Sequence, residues 1–343
     1  MRRFHSINSH YKNEFLKLNR WYVYILNGRG YNLKESYEKE KNILIVVKAT
    51  DLNKIYNKSH ALKDFNITIN KGDIYGLIGV NGAGKSTFIE IIAGITEAQS
   101  GTVALFGDTK DLHIKRRRIG SVIETPSFFP GLSAKQNLEY FATVMGIKDK
   151  GLIRDVLVKV NLDPSSKKKF RNFSLGMKQR LGIALALLNA PEFIILDEPT
   201  NGLDPKGIIE LRDIIRDLNA QGVTFLICSH ILAELTQIAT KYGIVHKGEF
   251  IKELTNEDLS DLCRDKISVI VDDENKPAIE GMLAKFGYDY KISNDSYEII
   301  LSDGINAFIE RLVSEKVKIS SLTQSKTSLE EVFFNAIGGA ENA

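Results

Sequence analysis

The chain has 343 residues, enough for about two domains at roughly 100–200 residues each. With 43% hydrophobic and 26% charged residues its composition is that of a globular protein, which excludes a disordered or collagen-like chain. A formal net charge of +3 is too mild to point to nucleic acid, and the basic runs at 115–118 and 167–169 read as solvated faces.

The cysteines, Cys228 and Cys263, stand far apart in no metal-binding spacing, as expected of a reducing cytosol. Cys228 lies in an apolar run and reads as a small buried thiol. No run of 18 apolar residues occurs, and the apolar stretch at 21–26 (Trp-Tyr-Val-Tyr-Ile-Leu) is too short to span a bilayer and lacks a signal-peptide cleavage pattern. The expected location is cytoplasmic, with any membrane role coming through a partner.

Three segments follow one another along the chain. Residues 1–43 are polar, basic and aromatic, with Tyr11, Trp21, Tyr22, Tyr24, Tyr31 and Tyr37 but no sustained period. Two readings stand for them. They form a partner-binding arm, or the true start lies near 44–47 and Lys39-Glu40 is encoded by a purine-rich ribosome-binding site; N-terminal sequencing of native protein separates the two. Residues 44–260 alternate short β-branched runs with helical patterns, the mark of βαβ units around a mostly parallel sheet. Residues 264–338 read as a small α+β unit, with strands expected at 267–271, 297–301 and 317–322 and helices at 276–286 and 304–315.

The strand expected at 74–78 runs directly into Gly79-Val-Asn-Gly-Ala-Gly-Lys-Ser-Thr87, and a helix pattern follows. This is strand, G-x-x-x-x-G-K-[ST] loop, helix, the context in which the motif cradles phosphate. Backbone N–H groups across Gly79, Asn81, Gly82, Ala83 and Gly84 would turn inward as an anion nest, with the helix N-terminus adding a positive dipole through Lys85, Ser86 and Thr87. Lys85 should reach the β and γ phosphates and the Ser86 hydroxyl should ligate Mg²⁺.

A second apolar strand at 193–196 ends in Asp197-Glu198, placing two carboxylates where α/β sheets keep their ligands. Asp197 is expected to hold Mg²⁺ and Glu198 to polarise the attacking water. Two exposed strand-end acids are the plainer reading, and the phosphate loop on the same chain tells against it.

Between these elements stands Phe173-Ser-Leu-Gly-Met-Lys-Gln-Arg180, with Ser174 a natural helix N-cap and the start of a second anion site. The segment resembles the signature motif of ABC ATPases, in the form found in bacitracin- and lantibiotic-type exporters. The resemblance covers residues 46–255 and implies an ABC-type P-loop core with an antiparallel β edge, a helical subdomain at about 127–189 and a small C-terminal α+β accessory domain. It implies ATP and Mg²⁺ as ligands, a homodimer in which Ser174 and Gly176 meet the ATP of the opposite subunit, and a separate transmembrane permease whose coupling helix docks on the helical subdomain. Leu175 and Met177 depart from the commoner Gly and Gln.

Further positions follow from the same resemblance. Tyr56 corresponds to the aromatic that stacks on adenine. Glu124 stands where a Mg²⁺-touching glutamine is usual and offers a hard oxygen instead. Asp204, in Asn-Gly-Leu-Asp-Pro, belongs to the loop that crosses the dimer interface, and His230 matches the switch histidine at the γ-phosphate.

The expected function is ATP hydrolysis driving export, with peptide antibiotic, drug and lipid open as cargo. The alternative is a non-transport ABC ATPase in regulation, DNA maintenance or translation. The 89 positions from Lys85 to Ser174 leave no room for the long coiled coil of a DNA-maintenance ATPase, and one phosphate loop does not make the double cassette of a translation factor. No nucleic-acid partner is expected.

Overall fold

The computed structural model describes residues 45–123, 127–149, 151–262, 265–293, 296–301, 304–326 and 329–341. The chain divides into two units, one ending at Glu253 and the other starting at Leu254.

The first unit opens with the antiparallel strands β1 (Ile45–Tyr56) and β2 (Ser59–Asn70). With β4 (Ser100–Leu105) they form a three-stranded sheet in the order β2-β1-β4. A larger sheet holds β3 (Ile74–Ile78), β5 (Ile119–Val122), β6 (Phe193–Asp197), β7 (Thr224–Ser229), β8 (Lys241–His246) and β9 (Glu249–Thr255). Its order is β5-β6-β7-β3-β8-β9, and β5 through β8 run parallel. Every residue of β3 and β7 is buried, which is why these strands read as unbroken apolar runs: a parallel sheet covered on both faces has no wet side to alternate toward.

Helix α1 (Lys85–Ala93) follows β3 and buries Phe88, Ile89, Ile91 and Ile92. Those residues join Val47, Leu52 and Phe65 of the small sheet and Tyr75, Leu77, Ile195 and Cys228 of the large one in a single apolar cluster. Phe65 and Phe88 meet at 4.8 Å between ring centroids. The phosphate-loop helix is therefore locked from both sides, and its N-terminus is a fixed point of the fold.

Helices α2 (Ala134–Val144), α3 (Gly151–Lys159) and α4 (Leu175–Ala186) pack on one another between β5 and β6 in the chain. The capping box expected at Ser133 and Gln136 is formed in both directions. Asn137, fully buried, ties this region together by accepting from Phe129 N–H and donating to the Phe129 and Ser133 carbonyls. Helix α5 (Pro205–Ala220) then precedes β7.

The second unit starts with α6 (Asn256–Leu262) and then runs β10 (Asp265–Ile270), α7 (Lys276–Phe286), β11 (Tyr290–Ser293), β12 (Ser296–Ile300), α8 (Gly304–Ser314), β13 (Ser321–Lys326) and α9 (Leu329–Glu341). From β10 to β13 this is a split βαββαβ arrangement with sheet order β11-β12-β10-β13, all antiparallel. Ile267, Val269, Ile279, Leu283, Tyr297, Ile299 and Phe308 form its core.

Two local expectations are corrected here. Strand β11 was not anticipated: all four of its residues are exposed, so it carries no buried-face pattern. The strand expected at 317–322 lies instead at 321–326, as β13. Val317 is buried and Ile319 packs on the core from the approach to the strand, whereas ladder pairing begins at Ser321 opposite Ile270.

Candidate active site

The phosphate loop has the backbone its sequence requires. Gly84 caps α1 at φ +111°, and a Cβ there would lie 2.6 Å from the Ala61 carbonyl oxygen. Gly79 is equally confined, since a Cβ would come within 2.6 Å of the Val245 carbonyl oxygen. No side chain caps the first amides of α1, so its N-terminal N–H groups keep their hydrogen-bonding capacity for an anion. Ser86 is exposed in the first turn, Thr87 half-buried, and Asn81 and Gly82 face solvent.

Lys85 is buried, and its Nζ donates to the Gly79 carbonyl at 2.5 Å and to that of Val80 at 3.4 Å. The same ammonium stands 3.8 Å from Glu198 Oε1. A buried cation facing a carboxylate across a glycine-rich helix N-terminus fits a polyanionic ligand with a divalent cation: the loop supplies donors, while Ser86, Asp197 and Glu198 supply hard oxygens.

Glu198 follows β6 with φ +45°, a left-handed conformation unusual outside glycine. Its N–H donates to the Cys228 carbonyl at 2.9 Å, so the neighbouring strand holds the turn that aims the side chain. Glu198 Oε2 lies 2.9 Å from His230 Nδ1 and accepts from Ser229 Oγ–H at 3.3 Å. Ser229 Oγ also accepts from Ile231 N–H at 3.0 Å, fixing the hydroxyl below the carboxylate. Beneath them, burial pushes the Cys228 thiol well up and the Asp197 carboxylate adds to the rise, as expected of an inert core thiol.

A second cluster gathers the signature segment and the loop after β6. Ser174 caps α4, its Oγ accepting from Met177 N–H at 3.3 Å. A Cβ on Gly202 (φ +74°) would sit 2.9 Å from Leu175 Cδ2, and one on Gly176 would meet Leu203 Cδ2 at 3.8 Å. The two segments thus interdigitate within one chain. Asp204 caps α5 through Gly207 N–H at 3.0 Å, which occupies one carboxylate oxygen locally. Arg180 joins α4 to α5 through Glu210 at 3.3 Å.

Tyr56 ends β1 and is exposed, with the Lys54 ammonium 5.0 Å from its ring centroid. Glu124 and Cys263 lie outside the described residues, as do residues 1–43. Reading the chain alone missed Ser229, hidden by its place inside an apolar strand, and the Leu175–Gly202 contact, which links positions 27 apart.

An ABC transporter family model matches residues 62–201. The bacitracin transport ATP-binding protein BcrA of Bacillus licheniformis is 40% identical over 300 residues, spanning 86% of this chain and 98% of that protein. The chain belongs to the ABC transporter ATP-binding proteins. It is an ATPase with a P-loop core. The lantibiotic transport ATP-binding protein SrtF of Streptococcus pyogenes is 42% identical over 228 residues, 65% of this chain and 97% of its own length. A dimeric ATP-binding cassette solved in a post-hydrolysis state with ADP and Pi matches with a TM-score of 0.54 at 26% identity, covering 62% of this chain and 99% of that one. Among the described residues of this ATPase, no helix is long and apolar enough to cross a membrane.

Proposed function

We propose that two copies of this ATPase close over two ATP molecules and drive export through a separate membrane permease, at whose inner face they sit. The observation that carries the reading is the Lys85–Glu198–His230 constellation at the uncapped N-terminus of α1. The capped N-terminus at Ser174, on a different helix, offers the complementary half-site for a second copy. The dimeric cassette solved with ADP and Pi supports the same arrangement.

In this reading the N–H groups from Gly79 to Thr87 hold phosphate oxygens, Lys85 neutralises the β and γ groups, and Tyr56 stacks on adenine. Ser86, Asp197 and Glu124 would hold Mg²⁺, which supplies charge compensation for the leaving diphosphate when bound. Glu198 orients a water in line with the γ-phosphorus and accepts its proton as the new P–O bond forms and the bond to the bridging oxygen of ADP breaks. His230 steadies the Glu198 carboxylate and donates toward the γ-phosphate. The second copy's Ser174 and Gly176 close the site, with Asp204 in the loop between the two. ATP drives closure because it binds the closed dimer better than the open one.

The relatives named for bacitracin and lantibiotic transport favour a peptide antibiotic as cargo over a drug or lipid. The C-terminal unit is an accessory domain in this scheme, and residues 1–43 are an extension ahead of the cassette.

The test is Glu198→Gln in the full chain. The variant should bind ATP, form a stable dimer in size-exclusion chromatography with MgATP, and turn over about 10²–10⁴-fold more slowly, the span of general-base contributions. Turnover at the wild-type rate, or a monomer at saturating MgATP, would overturn it.

A further inference from the structure

The base platform sits at the least supported kind of position in a sheet. Tyr56 is the last residue of β1, paired with Ser59 across a two-residue turn whose Asn57 and Lys58 take φ +46° and +70°. Such a turn closes the hairpin on the β2 side. On the other side β4 begins only at Ser100, opposite Asn53, so no strand residue stands beside Ile55 or Tyr56. Strand ends and loop tips open at low free-energy cost when their backbone groups lack partners.

Gln99 fills that gap. Its main-chain N–H donates to the Asn53 carbonyl at 2.9 Å. Its side-chain amide then bonds both backbone groups of Ile55: Oε1 accepts from the Ile55 N–H at 3.0 Å, and Nε2 donates to the Ile55 carbonyl at 3.0 Å. A carboxamide has the same donor and acceptor spacing as a peptide unit, so it extends the ladder by one rung. Two residues earlier, the Glu97 carbonyl accepts from Lys54 Nζ at 2.6 Å, and that ammonium lies over the Tyr56 ring, 5.0 Å from its centroid. The cation occupies one face of the ring, while Tyr56 remains 43% exposed.

We infer that Gln99 and Lys54 are positioning residues that hold Tyr56 as a one-faced stacking platform for the adenine of ATP. Gln99 fixes the backbone immediately before the tyrosine, and Lys54 fixes the ring plane through the Glu97 carbonyl. The inference rests on the reading of Tyr56 as the adenine contact. Its consequence is selective: loss of either residue weakens recognition of the base and leaves recognition of the triphosphate intact.

The experiment measures dissociation constants of the full chain for ATP and for inorganic tripolyphosphate, in wild type, Tyr56→Ala, Gln99→Ala, Gln99→Glu and the Tyr56→Ala/Gln99→Ala double variant. Gln99→Ala should weaken ATP about two- to tenfold, the cost of ordering one side chain on binding, with tripolyphosphate unchanged. Gln99→Glu keeps the acceptor for Ile55 N–H but sets a second carboxylate oxygen against the Ile55 carbonyl, so it should weaken ATP at least as much as Gln99→Ala. In the Tyr56→Ala background the Gln99 substitution should have no further effect.

A Gln99→Ala variant that binds ATP like wild type overturns the positioning role. So does one that loses ATP and tripolyphosphate equally, or that loses affinity equally with and without Tyr56. If Tyr56→Ala itself binds ATP normally, the base-platform reading fails, and the positioning inference falls with it by a visibly different result. Tripolyphosphate binding reports the fold of the phosphate loop in every variant.

Discussion

His230 Nδ1 lies 2.9 Å from Glu198 Oε2, while Lys85 Nζ approaches the other oxygen of the same carboxylate at 3.8 Å. Glu198 is thus bracketed by His230, just past the end of β7, and by Lys85, the first residue of α1, and its own backbone is left-handed. In the reaction proposed above, a carboxylate aimed by its neighbours needs less ordering to take up its role.

His230→Gln should keep ATP affinity near wild type and reduce turnover about 10–10³-fold, within the range for a lost orienting or charge-stabilising contact. ATP binding and steady-state hydrolysis measured on the same preparation check this. A matching fall in affinity and rate would assign His230 to ground-state binding.

Gly202→Ala should lower both stability and turnover. The backbone at φ +74° costs an L-residue about 1–2 kcal/mol, and the new Cβ would press on Leu175 Cδ2 at 2.9 Å. Adding Leu175→Ala should relieve the contact and recover part of the turnover while leaving the backbone penalty in place. Thermal melts and ATPase rates of the single and double variants separate the two contributions.

Arg116→Met should destabilise the first unit by about 1–3 kcal/mol through loss of charge-assisted bonds. Its guanidinium donates from Nε to the Ile92 carbonyl at 2.9 Å and from Nη2 to that of Ile91 at 3.1 Å, capping the C-terminus of the phosphate-loop helix. Bound MgATP should offset part of the loss, because it binds the folded state alone. Melting temperatures with and without nucleotide test both statements.

Alkaline pH should destabilise the protein more than its net charge suggests. Burial pushes the Tyr242 phenol up to about 12 from 10.0. Between those values the unfolded chain releases the proton and the folded chain keeps it, so stability falls as pH rises through that window. Tyr242→Phe should cost about 1 kcal/mol near neutrality, where the bond to the Ala239 carbonyl is lost, and less at high pH. Urea midpoints at pH 8 and 11 should show the gap narrowing.

Much of this protein was legible in its residues. The glycine loop, its flanking strand and helix, the Asp197-Glu198 strand end and the caps at Ser133 and Ser174 are set by local physics. Backbone freedom, dihedral preference and hydrogen bonding act within a few residues of each. The buried parallel strands announced themselves as apolar runs for the same reason. Helices α7 and α8 and strands β10 and β12 of the C-terminal unit followed from period alone, whereas exposed β11 had no pattern to show and the limits of β13 were set by its pairing with β10.

What only the tertiary structure decided concerns residues far apart in the chain. Residue types cannot say that Glu198 is gripped by Ser229 and His230, that Leu175 rests against Gly202, or that Gln99 completes the ladder beside Tyr56, 43 positions away. These contacts carry no periodic or local signal. They arise because the sheets set side by side strands far apart in the chain, as β6 lies against β7 and β1 against β4, and the residues at and beyond their ends meet as a result.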